Sequence, residues 1–140
     1  MGYDANAPKP GKRMLSSMTP SFMESKDKVI AIGGPGGSRI ITEVLIGMLG
    51  YDAGLTPQQV SALPRFHHQW MPDAISAEKN TFTPQVVQAL QAMGHTVNAG
   101  ETTWGNLQTV SWNKRMNVLE GGTDPRNPVG RAEVLPFTKP

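Results

Sequence analysis

Apolar positions along this chain change period several times, and each change marks an element. Val29-Ile30-Ala31-Ile32 is a compact apolar run rich in β-branched residues, which predicts a strand. Met14 to Met23 alternates weakly ahead of it, and the polar stretch Glu24 to Lys28 between them predicts the turn of a hairpin. From Ile40 the spacing becomes helical, with Ile40, Ile41, Val44, Leu45, Met48 and Leu49 forming a stripe. Ser38 is the expected N-cap of that helix and Gly50 its expected end.

Two later helices announce themselves by their caps. In Thr56-Pro57-Gln58-Gln59, Thr caps, Pro takes the first helical position and Gln59 closes a capping box, with Leu55 and Val60 placed as a staple. This helix stops near Leu63-Pro64. Thr83-Pro84 repeats the device with Phe82 and Val87 as staple, Val86, Leu90 and Met93 on the expected buried side and Gly94 as the left-handed terminator. Ile75 to Lys79, His95 to Ala99, Leu107 to Trp112 and Met116 to Glu120 read as strands, and the tail from Gly121 as irregular. The order β-β-α-α-β-α-β-β-β predicts an α+β fold with helices grouped over a mostly antiparallel sheet.

Composition narrows the function classes. The 140 residues fit one domain, and 15 Gly with 12 Pro imply a core interrupted by many turns. Cysteine is absent, which excludes a disulfide scaffold, a thiolate nucleophile, an Fe–S site and a zinc ribbon. A net charge of +2 with scattered basic residues does not describe an electrostatic binder of nucleic acid or membrane. No apolar run approaches the about 18 residues of a membrane span, and Ile40 to Leu49 carries Glu43. The residues after Met1 form no signal-peptide core, and Asn6 stands where a myristoylation signal at Gly2 wants Ser or Thr. A leader is not expected where the natural N-terminus lies elsewhere.

The turn Gly33-Gly34-Pro35-Gly36-Gly37, between a strand and a helix, is the most informative local feature. Backbone N–H groups of such a turn point into a concave site and hold a phosphate or an oxyanion. A P-loop needs a Lys-Ser/Thr pair that does not follow, and the dinucleotide fingerprint fails because its third glycine falls on Arg39. An oxyanion-hole pair, Gly36 and Gly37, stays open, beside the plainer reading of a tight turn. Ser16-Ser17 can hydrogen-bond a carboxylate or be plain polar surface, and no Gly-x-Ser-x-Gly elbow surrounds them. His67-His68, Asp73 and His95 lack metal-ligand spacing, and a packing role beside Phe66 and Trp70 is expected; no metal and no cofactor follow. Arg65 is expected to pair with an acidic neighbour in a structural role.

Longer segments carry a resemblance. Gly11-Lys12-Arg13-Met14-Leu15-Ser16-Ser17-Met18-Thr19-Pro20 resembles the R-P-L-S-S-M-x-P segment of gamma-glutamyltransferases. Gly34-Pro35-Gly36-Gly37-Ser38-Arg39-Ile40-Ile41-Thr42 and Ala62-Leu63-Pro64-Arg65-Phe66-His67-His68-Gln69-Trp70-Met71-Pro72-Asp73 match the same family in the same order, and Asp124-Pro125-Arg126 resembles its C-terminal D-P-R. The resemblance implies an N-terminal-nucleophile hydrolase fold, a four-layer αββα sandwich whose precursor cleaves itself into a large and a small subunit. A new N-terminal Thr then attacks the γ-glutamyl amide of glutathione-like substrates. By the resemblance, Ser16 and Ser17 bind the α-carboxylate of the γ-glutamyl group, and Gly36 and Gly37 form the oxyanion hole.

The departures are as informative. Thr19 is the first Thr of the chain, so the nucleophile that lies upstream of the double serine in the family is missing. Asp4 does not match the acidic residue that holds the substrate amino group, and the arginine of the large subunit is absent. Met14 stands where Pro is usual and Gly34 where Ser or Thr is common. Residues 1–140 are therefore expected to be the C-terminal portion of a small-subunit domain, with 1–13 an extended lead-in and 121–140 an irregular tail. Such a chain is inactive alone and is partnered by the remainder of the enzyme, in the periplasm or secreted. The alternative is a non-catalytic binding or interaction module descended from that fold.

Overall fold

A computed structural model of the chain describes residues 4–135. Gly2 and residues 136–140 of the expected tail lie outside the described residues. Seven strands and three α-helices are described: β1 (Ser21–Glu24), β2 (Lys28–Gly33), α1 (Ile40–Asp52), α2 (Pro57–Ala62), β3 (Phe66–His67), β4 (Ile75–Ala77), α3 (Pro84–Ala92), β5 (Val97–Ala99), β6 (Gln108–Asn113) and β7 (Val118–Thr123). A 3-10 turn over Asp4–Asn6 interrupts the lead-in, and another over Gly37–Arg39 precedes α1.

The larger sheet has the order β1-β2-β6-β7 and is antiparallel throughout. A smaller sheet, β3-β4-β5, contains one antiparallel and one parallel pairing. The hairpin predicted around Glu24 to Lys28 is present, but residues 14–20 are not a strand; pairing begins only at Ser21 opposite Ile32. The short strand Phe66–His67 was not expected, and Gly121 to Thr123, expected to be irregular, complete β7. They pair with Val110, Thr109 and Gln108, and a Cβ on Gly122 would meet the Pro57 carbonyl at 2.2 Å, so glycine is what lets the strand pass beneath α2.

The core lies between the larger sheet and α1 and α2, where Ile32, Ile40, Val44, Val60 and Leu107 pack with Met48, Tyr51 and Leu55. Gly47 brings α1 close, since a Cβ there would lie 2.4 Å from Ile32 Cδ1. Gly50 does not end the helix as expected. It is buried within α1, against Leu63 and Leu55, and the helix runs on to Asp52. The expected stripe is split: Ile40 and Val44 are buried, whereas Ile41, Leu45 and Leu49 face outward. The α2 capping box forms, with Gln59 N–H donating to Thr56 Oγ1 at 3.3 Å and Thr56 N–H to Gln59 Oε1 at 2.9 Å. Thr83 caps α3 in the same way through Val86 N–H at 3.4 Å. The buried side expected for α3 is not buried, because no residue of that helix is enclosed by this chain.

Candidate functional site

The glycine turn lies at the end of β2. Gly33 closes that strand, and the chain turns through Gly34-Pro35-Gly36-Gly37 into α1. Gly37 has φ +62°, a left-handed conformation that glycine adopts without a Cβ penalty. Ser38 is not the N-cap: Gly36 and Gly37 start a 3-10 turn, and Arg39, with no side-chain cap bond, leads into α1. The Ser38 hydroxyl instead donates to Gln69 Oε1 at 2.6 Å. Gly36 and Gly37 are solvent-exposed.

Residues 14–20 approach this turn in extended form. A cavity of about 170 Å³ is lined by Met18, Thr19 and Pro20 from that segment and by Gly33, Gly34 and Ile40 from the turn. Ser16 is exposed and its Oγ accepts from Met18 N–H at 3.3 Å. Ser17 is half-buried; its carbonyl accepts from the Thr19 hydroxyl at 3.0 Å. The residues directly after the double serine, not Ser16 and Ser17 themselves, share this cavity with the glycine turn.

The histidines are divided among different partners. His67 is buried, with Nδ1 2.8 Å from Thr42 Oγ1 and Nε2 2.9 Å from Gln69 Oε1, while His68 Nε2 lies 3.0 Å from Asp73 Oδ1. Trp70 is exposed and is not packed as expected. Among the described residues no three His, Cys, Asp or Glu form a group that could hold a metal.

Behind the turn lies an ionic network that local sequence reading missed. Arg65, buried as expected of a structural residue, sits 3.4 Å from Glu43 Oε1 and 2.5 Å from Asp124 Oδ2. Its guanidinium also bonds the carbonyls of Trp104 and Ser61. Arg126 Nε donates to Glu78 Oε1 at 2.9 Å and its Nη1 to Asp124 Oδ1 at 3.1 Å. Glu78 further accepts from the N–H groups of Arg65 and Trp104, at 3.1 and 2.9 Å. The Asp-Pro-Arg resemblance was the signal that could have found this cluster. Burial works against ionisation of Asp124, but hydrogen bonds from Arg65, Arg126 and the Leu107 N–H outweigh it and hold the carboxyl below its usual range. For Glu43 burial prevails over the pull of Arg65, and its carboxyl is pushed up.

Comparison with known proteins defines the class first. The chain superposes on gamma-glutamyltranspeptidase from Helicobacter pylori with a TM-score of 0.78 at 36% identity, covering 90% of this chain and 69% of that one. An acivicin-inhibited gamma-glutamyltranspeptidase gives a TM-score of 0.78 at 37% identity over 89% of this chain and 68% of that one. The fold is thus the αββα fold of N-terminal-nucleophile hydrolases, of which this chain contributes mostly antiparallel sheet and helices. The profile of the gamma-glutamyltranspeptidase family matches residues 2–134, and the chain belongs to that family. The glutathione hydrolase proenzyme of Escherichia coli is 41% identical over 129 residues, which span 91% of this chain but 22% of that protein. That of Pseudomonas aeruginosa is 39% identical over 132 residues, 90% of this chain and 23% of the relative. The chain therefore spans about a fifth of the length of these relatives.

Proposed function

We propose that this chain is the substrate-site and oxyanion-hole portion of an enzyme that transfers or hydrolyses the γ-glutamyl group of glutathione-like amides. The observation that carries this reading is the cavity that Met18–Pro20, directly after the double serine, share with Gly33 and Gly34 of the glycine turn. Ser16 and Ser17 hold the α-carboxylate of the γ-glutamyl group by hydroxyl and N–H donation. A threonine oxygen, supplied from outside this chain, adds to the γ-carbonyl carbon. The carbonyl electron pair moves to its oxygen, which takes hydrogen bonds from the Gly36 and Gly37 N–H groups. Each such donor contributes about 3 kcal/mol to the transition state. Collapse of the intermediate expels the amine, which takes a proton, and leaves a γ-glutamyl ester; water or an acceptor amine then releases the threonine.

Two exposed apolar faces support a partner that completes the enzyme. Phe22, Val110, Trp112 and Leu119 share the face of the larger sheet turned away from α1 and α2. Ile41, Leu45 and Leu49 line the outer face of α1. Surfaces of this kind mark interfaces, and in an αββα sandwich the bare sheet face packs on the second sheet. No helix among the described residues is long and apolar enough to cross a membrane; a periplasmic or secreted enzyme is the reading that the family resemblance supports.

The test uses a γ-glutamyl anilide. The pure 140-residue chain releases no anilide above the buffer rate, since an oxyanion hole without a nucleophile has nothing to stabilise. The chain assembled with a large subunit and a threonine-headed segment does release it. Release by the pure chain, or a folded assembly that never turns over, overturns the reading.

A further inference from the structure

Glu43 takes no part in the chemistry above, yet its carboxyl lies directly behind the glycine turn. The side chain is fully enclosed. A Cβ built on Gly34 would lie 3.1 Å from Glu43 Oε1, one on Gly36 would lie 3.4 Å from Oε2, and one on Gly105 would lie 2.6 Å from Oε1. Glycines from two separate loops thus leave the slot that this planar group fills. Neither carboxyl oxygen makes a well-aligned hydrogen bond, and the Asn106 N–H is the backbone donor that faces the group. Arg65 Nη1, at 3.4 Å, already serves the Trp104 carbonyl. Burying an acid without well-aligned hydrogen bonds is costly, so its presence here calls for a reason other than filling space.

We propose that Glu43 is a positioning residue: its carboxyl wedges the Gly34–Gly37 turn against the Gly105 loop and fixes the direction of the Gly36 and Gly37 N–H groups. The inference rests on the assignment of those groups as oxyanion donors. Its working form is the neutral acid. The groups that face Glu43 are Arg65, which precedes β3, Asp124 and Arg126, which follow β7, and the Asn106 N–H from the loop before β6. In the whole network two guanidiniums, Arg65 and Arg126, meet three carboxyls, Glu43, Glu78 and Asp124, so the charges balance when Glu43 keeps its proton. An ionised Glu43 would set a negative charge behind the point where the oxyanion forms and oppose it. Burial, the dominant influence on this carboxyl, favours the neutral form.

The test compares Glu43→Gln, Glu43→Asp and Glu43→Ala in the assembled enzyme, with kcat, KM and thermal melting measured on each. Gln is planar, neutral and of equal size, and keeps kcat within about twofold, because the N–H pair stays in place. Asp withdraws the carboxyl from the slot by one methylene, and Ala empties the slot. Both lower kcat about 10- to 100-fold, the usual effect of a small misplacement. KM stays within about twofold, because the serine segment is untouched. Asp folds even where Ala does not, and so carries the result alone in that case. Parent kcat in Asp, or equal losses in Gln and Asp, overturns the inference while leaving the proposed function intact. An unsubstituted assembly without turnover removes the proposed function, and this inference with it.

Discussion

The Gly33–Gly37 turn borders one cavity with Met18–Pro20, the residues that follow Ser16–Ser17, but the turn and the serine segment are held in opposite ways. The turn is backed by buried residues from distant parts of the chain: Glu43 behind Gly34 and Gly36, then Arg65 and Asp124. The serine segment rests on short-range bonds, from Met18 N–H to Ser16 Oγ, from Thr19 Oγ1 to the Ser17 carbonyl, and from Leu15 N–H to Asn6 Oδ1 at 3.2 Å. Met14, Leu15 and Met18 around it are exposed. The difference shows which half of the site this chain builds by itself. On the proposed assignment the oxyanion half is fixed by internal packing, whereas the carboxylate half is held by few contacts within this chain.

The sharpest way to break that contrast is to remove the cation at the centre of the network. Arg65→Met keeps much of the volume but takes from fully buried Asp124 one of its two guanidinium partners and from fully buried Glu43 its nearest cation. Removing one partner from a buried ionic cluster typically costs about 3–5 kcal/mol. Urea unfolding of the Arg65→Met chain is expected to show that loss. A change below about 1 kcal/mol, the size of an exposed pair, would mean that the turn is not held by the network.

Local chemistry is what the sequence displays well, and the fold confirms it where neighbours in sequence decide the outcome. The capping box at Thr56, the cap at Thr83 and the β1–β2 hairpin all depend on residues a few positions apart. Readings failed where distant packing decides. Gly50 looks like a helix end, but it is the point at which Leu63 crosses close to α1. Ile41, Leu45, Leu49 and Val86 look like core, and they are exposed because nothing among the described residues packs over them. The glycine turn and double serine were legible through their motif. The network was not, because Arg65 and Asp124 are separated by 59 residues and each alone reads as an ordinary charge.

Proton linkage sharpens the same comparison more gently. The Asp124 carboxyl is held below its usual range in the folded chain, so its contribution is complete above the ordinary aspartate pKa and is lost as pH falls through the depressed folded value. Glu43 has the opposite sign. Its folded pKa is raised, so between the ordinary glutamate value and that raised value the unfolded chain releases a proton that the folded chain keeps, and stability declines with rising pH. Urea midpoints measured across pH are expected to fall on the acid side through Asp124 and to show a second decline above the ordinary glutamate range. Glu43→Gln removes the second decline and leaves the first, whereas a profile unchanged by that substitution would place the titrating group elsewhere.

The smallest expected change comes from the other half of the site. Ser17 is half-buried, and its carbonyl, not its hydroxyl, accepts the Thr19 bond. Among the described residues the hydroxyl has no hydrogen bond to lose on folding, so Ser17→Ala should alter the chain's stability by no more than about 0.5 kcal/mol. In the assembled enzyme the proposed role of Ser17 as a donor to the substrate carboxylate predicts a raised KM, with kcat less affected because that carboxylate is bound alike before and during the reaction. A residue that matters to the substrate and not to the fold is what a binding segment awaiting its surroundings should contain. A loss of stability comparable to that of Arg65→Met would instead make the serine segment part of the same internal framework as the turn, and the contrast between the two halves would disappear.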